Sequence, residues 1–280
     1  MNIRKPAVAG RFYPRDKEKL KKMLTMVYDS QRNQMDNKYY QSALIGAVSP
    51  HAGYQFSGYQ MVHIFDVLKH MDWRYDIFVI LHPDHYGHGN GVFKDVNDYW
   101  ETPLGEVEID KEIYDRLDIP ASEEAHIKEH SGEVLVPFLQ FFMPYEFKIA
   151  PLAFSSQTPG EGKYIAEALA KIKSTTNKRI FMLASSDFSH FLSPEQGAAM
   201  DTLALTHILN FDPETTYQVI RENGISICGY GPIISLMHYS MNVSQRPVAE
   251  VIAHGNSGDV MPSNEVVDYY AILFYEPLTH

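Results

Sequence analysis

Short apolar segments alternate with longer segments of helical periodicity along most of the chain. Several of the short segments are apolar at consecutive positions rather than at every second one, which is typical of strands covered on both faces of a sheet. The predicted strands are residues 44–48, 77–81, 147–154, 179–184, 248–253 and 269–275. The predicted helices are residues 16–29, 58–69, 132–142, 160–173, 194–210, 213–222 and 232–240. This alternation predicts an α/β fold, with a mostly parallel central sheet flanked by helices on both sides.

Three of the predicted helices carry clear start signals. Thr158, Ser193 and Asp212 are each followed by a proline, so a capping side chain precedes a proline at the first helical position. Residues 90–108 read as a hairpin-like excursion from the sheet rather than as a linker. We therefore expect residues 1–280 to form one layered α/β domain.

Polar side chains follow four of the predicted strands, at the point where each strand ends. A single histidine beside proline or glycine is usually a solvated loop residue, but its recurrence at four strand ends favours a shared site. In open α/β sheets, loops at the carboxyl ends of parallel strands converge on one edge. The sequence therefore predicts a pocket there that can bind a metal or move protons. The four clusters are Ser49-Pro50-His51, His82-Pro83-Asp84-His85, Ser185-Ser186-Asp187-Phe188-Ser189-His190 and His254-Gly255-Asn256-Ser257-Gly258-Asp259.

The single cysteine, Cys228, precedes an apolar helix. A free cysteine is most often a small buried hydrophobe, but a thiol near a helix N-terminus has a depressed pKa and is a good nucleophile or ligand. Together with two imidazoles it would form a site suited to copper, zinc or iron. His130 and Glu133 lie near the start of another apolar helix, where they either cap that helix or face the pocket as acid–base groups.

Composition narrows the classes of partner. The chain has 24 Lys+Arg against 35 Asp+Glu, a formal net charge of −11, and no basic tract. Nucleic acid and anionic membrane are therefore excluded as expected partners, which leaves a small molecule or a peptide in the pocket. A lone cysteine cannot form an intramolecular disulfide and suits a reducing compartment. Because no apolar run approaches the roughly 20 residues of a membrane span, we expect a cytoplasmic protein.

Six short motifs resemble those of one known family. They are R-F-Y-P at 11–14, P-H-A-G-Y at 50–54, E-H-S at 129–131, S-S-D-F-S-H at 185–190, C-G-Y-G-P at 228–232 and N-S-G-D at 256–259. Their identity and order resemble the Memo family, called AmmeMemoRadiSam system protein B in microbes. The resemblance implies a fold similar to that of class III extradiol dioxygenases, which are non-haem iron enzymes.

The resemblance also implies a metal site of two histidines and one cysteine. The histidine of P-H-A-G-Y is His51, and the cysteine of C-G-Y-G-P is Cys228. The second histidine belongs to a G-P-x-H-H motif, which here reads His82-Pro83-Asp84-His85-Tyr86. His85 takes the place of the first histidine in that motif, but His82 replaces its glycine, so both remain candidates.

Further residues match less completely. Asp187 and His190 correspond to the other polar pair of the family pocket, whereas Leu135 stands where relatives often carry a histidine. A role for that helix therefore rests on His130 and Glu133. Because related dioxygenases use a carboxylate as third ligand where this chain offers Cys228, ring cleavage does not follow from the fold.

Three functions remain open at this point. The first is redox chemistry on iron or copper at His51, His85 and Cys228, with Asp187, His190, His130 and Glu133 as acid–base or supporting groups. The second is a module that binds a peptide or a small anion in the same pocket without catalysis. The third is a zinc hydrolase with Asp187 or His190 as the base.

Overall fold

The computed structural model describes residues 2–277. Every predicted strand and helix forms, with ends shifted by a few residues. The strands are β1 (Ile3–Arg4), β2 (Ala43–Ser49), β3 (Ile77–Pro83), β4 (Val92–Lys94), β5 (Tyr99–Thr102), β6 (Gly105–Glu108), β7 (Lys148–Phe154), β8 (Ile180–Ser185), β9 (His190–Leu192), β10 (Val248–Asn256) and β11 (Val266–Glu276). The helices are α1 (Lys17–Gln31), α2 (Tyr54–Lys69), α3 (Lys111–Arg116), α4 (Glu124–Ile127), α5 (Leu135–Phe142), α6 (Pro159–Thr175), α7 (Pro194–Leu209), α8 (Pro213–Asn223) and α9 (Tyr230–Val243).

The central sheet has eight strands, of which seven lie side by side in the order β10-β11-β2-β8-β3-β7-β4, with β9 pairing separately to β11. Strands β2, β8, β3 and β7 are parallel to one another. β11 is antiparallel to both β2 and β10, so β10 runs in the same direction as the parallel strands. The predicted α/β fold is confirmed, and its sheet is mixed, with four parallel strands at the centre and the antiparallel strands β11 and β4 on either side of them. The carboxyl ends of β2, β3, β8 and β10 therefore lie along one edge.

A second, small sheet arises from the segment that was expected to be a hairpin excursion. β5 and β6 form the antiparallel hairpin, and β1 adds to β5 as a parallel strand. β1 ends at Arg4, whose buried guanidinium forms an ion pair with Glu133 (Nη1 to Oε2, 2.7 Å). The N-terminal segment is thus tied to the start of α5.

The helices begin where the capping signals predicted. Thr158, Ser193 and Asp212 each accept a hydrogen bond from a backbone N–H in the first turn of α6, α7 and α8. Apolar faces of the helices cover the sheet, and α6 and α9 pack together on it. None of the helices between residues 2 and 277 is both long enough and apolar enough to cross a bilayer.

Candidate metal centre

Three side chains from distant parts of the chain meet at the carboxyl edge of the sheet. His51 follows β2, His85 follows β3, and Cys228 lies two residues before α9. Their ligand atoms all lie within 4.8 Å of one another. The Sγ atom of Cys228 is 3.2 Å from Nε2 of His51, and the rings of His51 and His85 are 5.2 Å apart, edge to face.

The hydrogen bonds of Ser185 determine which nitrogen of His51 carries the proton. The Ser185 hydroxyl donates its only hydrogen to the carbonyl of Ser131, at 2.7 Å. It can therefore only accept from the Nδ1 atom of His51, which lies 2.8 Å away. The Nε2 atom of His51 is thus left with a free lone pair that points toward Cys228. Burial, together with the nearby imidazoles of His85 and His130, holds the pKa of His51 well below its usual range, so the ring stays neutral.

Glu129 fixes His85 in the corresponding way. Its Oε1 atom accepts from Nδ1 of His85 at 2.9 Å, and its Oε2 atom accepts from the backbone N–H of His85 at 2.8 Å. Burial raises the pKa of Glu129, but the hydrogen bonds from His130 and His85 outweigh burial and hold that pKa far below its ordinary value. Burial lowers the pKa of His85, but the hydrogen bond and the charge of Glu129 outweigh burial, so that pKa is raised above its ordinary value. The carboxylate therefore orients His85 with its Nε2 atom toward His51 and Cys228.

The thiol of Cys228 does not have the depressed pKa expected from its position before α9. Burial and the neighbouring Asp187 carboxylate raise the pKa of Cys228 above its ordinary value, so that expectation is wrong for the metal-free protein. The backbone N–H of Asp187 donates to Sγ at 3.2 Å, which partly stabilises a thiolate. A cation at the site would be needed to stabilise it fully.

Asp187 and His130 lie beside the three ligand candidates. Asp187 accepts from the backbone N–H of His51 at 2.7 Å, and its other oxygen is 3.9 Å from Nε2 of His51. Burial raises the pKa of Asp187. The ring of His130 stacks on His85 at 4.8 Å, and its Nδ1 atom lies 3.2 Å from Glu129.

His190 flanks the same edge from the first residue of β9. Its Nδ1 atom lies 2.9 Å from the carbonyl of Ser226 and can only donate to it, so Nε2 carries the free lone pair. A positive charge on His190 would lower the pKa of both His51 and Asp187, which places the ring within electrostatic reach of the centre.

Two residues named from the sequence lie apart from this group. Glu133 is buried, and its carboxylate accepts hydrogen bonds from Arg4, Tyr13 and the backbone of residues 7 and 8. It neither caps α5 nor belongs to the ligand cluster. His82 is fully buried behind the pocket, with Nε2 3.3 Å from Nδ1 of His126. His85, rather than His82, lies beside His51 and Cys228.

Ser185 and Glu129 are the supporting residues that sequence reasoning missed. Both stood inside motifs that were recognised, yet neither was assigned a role. A signal existed for Glu129, because metal-binding histidines usually donate their second ring nitrogen to a carboxylate, a carbonyl or water. Its partner His85 lies 44 positions earlier, so spacing alone could not pair them.

The donor set fits a transition metal ion. Bonds of about 2.1 Å to nitrogen and about 2.3 Å to sulfur place neighbouring donors about 3.1 to 3.6 Å apart, for angles at the metal between about 90° and 109°. The 3.2 Å separation between His51 Nε2 and Cys228 Sγ lies in that range. Two imidazoles and one thiol favour borderline or soft ions over magnesium or calcium.

Comparisons with known proteins identify relatives of this chain over nearly its whole length. The family model described as Memo-like protein matches residues 4–273. A MEMO1 family protein of Methanosarcina mazei is 34% identical over 279 residues, covering 99% of this chain and 100% of the relative. A MEMO1 family protein of Sulfolobus acidocaldarius is 36% identical over 284 residues, covering 97% of this chain and 99% of the relative.

A solved structure shares the fold. The crystal structure of uncharacterized protein JW3007 from Escherichia coli K12 has a TM-score of 0.54 at 12% sequence identity, and the match covers 82% of this chain and 99% of that one. That likeness concerns the fold alone. The family model and the archaeal relatives both span nearly the whole chain, and on their evidence the chain belongs to the Memo family.

Proposed function

We propose that this protein binds one transition metal ion, iron or copper, through His51, His85 and Cys228, and that it carries out redox chemistry on a small molecule there. The observation that carries the proposal is the hydrogen-bond anchoring of both imidazoles. Ser185 and Glu129 occupy the two Nδ1 atoms, which leaves both Nε2 lone pairs free beside the Cys228 thiol. A histidine pair with no ligand role would not need this arrangement.

The metal would supply an electrophilic centre that can change oxidation state and bind an oxygen-containing group. Iron and copper suit the donor set because both bind imidazole well, and a thiolate stabilises their softer states. Zinc would be accepted by the same three donors, although it offers no redox chemistry.

The neighbouring side chains supply the proton chemistry in this proposal. Asp187 holds a proton to higher pH than an ordinary carboxyl group because it is buried, and it lies within 3.9 Å of His51. His190 and His130 present imidazoles on either side, each with its Nδ1 atom beside an acceptor and its Nε2 atom available. One group would donate a proton to the bound molecule and another would take one from it.

The bound partner is expected to be a small molecule or a short peptide segment that enters from the side of His85 and His130, whose side chains are 30% and 20% exposed. The net charge of −11 argues against nucleic acid and anionic membrane as partners. A reactive thiol ligand is best preserved where thiols stay reduced, so we place the activity in the cytoplasm.

The test is anaerobic calorimetric titration of iron(II), copper(I) and zinc(II) into the metal-free protein and its variants. His51→Ala, His85→Ala and Cys228→Ala should each abolish tight binding while the fold survives. Glu129→Gln should weaken binding about 10- to 100-fold, because an amide without charge and with one acceptor oxygen replaces the carboxylate that orients His85 through both of its oxygens.

Two histidine variants serve as controls. His207→Ala, at the end of α7, should bind metal as the wild type does. His82→Ala should lower stability but leave metal affinity unchanged, and a loss of affinity confined to His82→Ala would contradict the assignment of His85. Tight zinc binding with ester or amide hydrolysis would favour the hydrolase instead. Wild-type protein that binds none of the three ions, yet still binds a ligand, would favour the non-catalytic binding module.

A further inference from the structure

Two buried carboxyl groups face each other outside the candidate metal centre. Asp201 lies in the middle of α7 and Asp268 near the start of β11, with exposed fractions of 0% and 1%. Their closeness raises the energy of the doubly ionised pair, and no Lys or Arg contacts either group within residues 2–277. Burying two carboxylates without a cation is costly, so this pair needs an explanation.

The hydrogen bonds around the pair lack one donor. Asp201 accepts from Ser189 twice, from its hydroxyl at 2.5 Å and from its backbone N–H at 3.1 Å. The Oδ2 atom of Asp268 is buried and has no donor. A proton on Asp201 would supply the missing donor, as in other carboxyl pairs that share one proton.

The packing brings α7 close to this unpaired oxygen. A Cβ atom placed on Gly197, one turn before Asp201 on α7, would lie 2.3 Å from Oδ2 of Asp268, so a side chain there would displace that carboxylate. The other titratable groups that face the pair are His254 on β10, with Nε2 3.5 Å from Oδ1 of Asp268, and the phenols of Tyr269 and Tyr270 on β11.

We propose that Asp201 and Asp268 share one proton, which Asp201 donates to Oδ2 of Asp268, and that this bond clamps α7 to β11. The clamp also holds segment 185–190, because Ser189 binds Asp201 through its side chain and its carbonyl accepts from the backbone N–H of Asp268, while Phe188 donates to the Asp268 carbonyl. Asp187 and His190 lie on either side of these two residues. Through them the clamp regulates the pocket, and this last consequence rests on the function proposed above.

The clamp should weaken as pH rises toward neutrality. Burial, followed by the Asp268 charge, raises the pKa of Asp201 to about 7. In the closed state Asp201 keeps its proton up to that pH, whereas in an opened state it loses the proton near pH 4. Opening therefore becomes easier by up to tenfold per pH unit between about pH 4 and pH 7, and levels off above pH 7.

Hydrogen exchange and carboxyl NMR of the full chain test the clamp without any metal. The ¹³C shift of the Asp201 carboxyl should titrate near pH 7. Protection of the amides of Ser189 and Asp268, corrected for the intrinsic exchange rate, should fall by up to tenfold per pH unit from pH 5 to 7 and then level off. In Asp201→Asn the side-chain amide replaces the shared proton as donor, so protection should be retained and lose its pH dependence.

Glu195→Gln is the matched control, since it removes one carboxyl group from an exposed position of the same helix. It should keep the wild-type pH dependence. Titration of Asp201 below pH 5, or a pH dependence that persists in Asp201→Asn, would overturn the shared proton. Stabilisation at pH 8 by added calcium or magnesium would overturn it as well, since a cation would then occupy the pair. None of these readouts involves His51, His85 or Cys228, so failure of the metal proposal would leave the clamp standing.

Discussion

The thiol of Cys228 has two properties that bear on metal binding. It lies 3.2 Å from a neutral imidazole with a free lone pair, yet burial and Asp187 raise its pKa. A metal ion bound there must displace the thiol proton, since the thiolate is the ligand form. The metal-free site therefore stores a proton that binding releases.

This arrangement predicts a particular pH dependence of metal affinity. Because the pKa of Cys228 is raised, its proton competes with the metal through neutral and into mildly alkaline pH. Affinity for iron(II) should rise about tenfold per pH unit from pH 7 to pH 8.5. Calorimetry in buffers of different ionisation enthalpy should detect about one proton released per metal, and alkylation of the metal-free thiol should be slow.

The matched variant is Cys228→Ala, which should show weak binding with a smaller dependence on pH, because only His85, whose pKa Glu129 raises, still holds a competing proton. The pKa of His51 is lowered, so His51 contributes no proton in this range. Wild-type affinity that is already constant above pH 7 would contradict a protonated thiol in the metal-free site.

At this scale the sequence predicts residue types better than residue partners. His51, His85 and Cys228 could be named because the Memo-like motifs contain them. The choice between His82 and His85 could not be made, because it depends on where β3 ends and which side chain leaves the sheet toward the pocket. The pocket role predicted for Glu133 is wrong because the sequence does not show its partners. Arg4 and Tyr13 lie more than a hundred positions earlier, so spacing alone could not pair them with Glu133.

At the scale of elements, the cysteine is positioned by the close approach of α9 to β8. Gly229, the residue that precedes α9, lies against the backbone of the last residue of β8. A Cβ atom there would be 2.1 Å from the carbonyl oxygen of Ser185 and 2.7 Å from Cβ of Ser186. The same Ser185 anchors His51, so one close contact sets the distance between the cysteine and a histidine.

We therefore expect Gly229→Ala to separate the two elements. Overpacking of this kind costs about 1–3 kcal/mol of unfolding free energy, and more where backbone is struck. Metal affinity should fall as well, because Cys228 moves away from His51. Urea denaturation and metal titration measure the two effects.

Gly160→Ala is the control for this substitution. Gly160 lies in the first turn of α6, and a Cβ atom there approaches only Thr158, at 3.9 Å. The free energy of unfolding of Gly160→Ala should be unchanged or slightly raised, since alanine favours the helical conformation more than glycine does. A Gly229→Ala variant as stable as Gly160→Ala, with unchanged metal affinity, would contradict the positioning role of the contact.

The elements that could be predicted are those with a local sequence signal. Proline after a capping side chain marked the starts of α6, α7 and α8, and continuous apolar runs marked β2, β3 and β8. The small sheet was missed as a sheet because β1, β5 and β6 are two to four residues long, too short for periodicity to show. Their pairing depends on the N-terminal segment folding back onto a distant hairpin.

At the scale of the whole molecule, the N-terminal segment is held by the buried ion pair between Arg4 and Glu133. The Arg4 guanidinium, in addition to Glu133, donates to the carbonyls of His126 and Glu129. The Glu133 carboxylate accepts four hydrogen bonds, one of them from the Tyr13 hydroxyl at 2.6 Å. All three guanidinium nitrogens of Arg4 and both carboxylate oxygens of Glu133 are thus engaged.

Glu133→Ala should be strongly destabilising, because it leaves the Arg4 charge buried without a partner. Losses of this kind are about 3–5 kcal/mol of unfolding free energy. Tyr13→Phe removes one hydrogen bond to a charged group and should cost about 1.5–3 kcal/mol. Urea denaturation at pH 7 measures both.

Lys5→Ala provides the comparison with an exposed pair. Lys5 is paired with Glu101 at the surface, where ion pairs contribute less than about 1 kcal/mol. A loss in Glu133→Ala no larger than that in Lys5→Ala would show that the N-terminal segment does not depend on the buried pair.

The position of β11 has a consequence for synthesis of the protein. β11 lies between β10 and β2, so residues 266–276 are inserted beside a strand that left the ribosome more than two hundred residues earlier. Until they emerge, β2 has an open edge on that side, and the loop that carries His51 lacks the neighbour that supports it. A growing chain would therefore expose the unpaired edge of β2 even after His51, His85 and Cys228 have all been synthesised. Chaperones that shield this edge would be needed until residues 266–276 emerge.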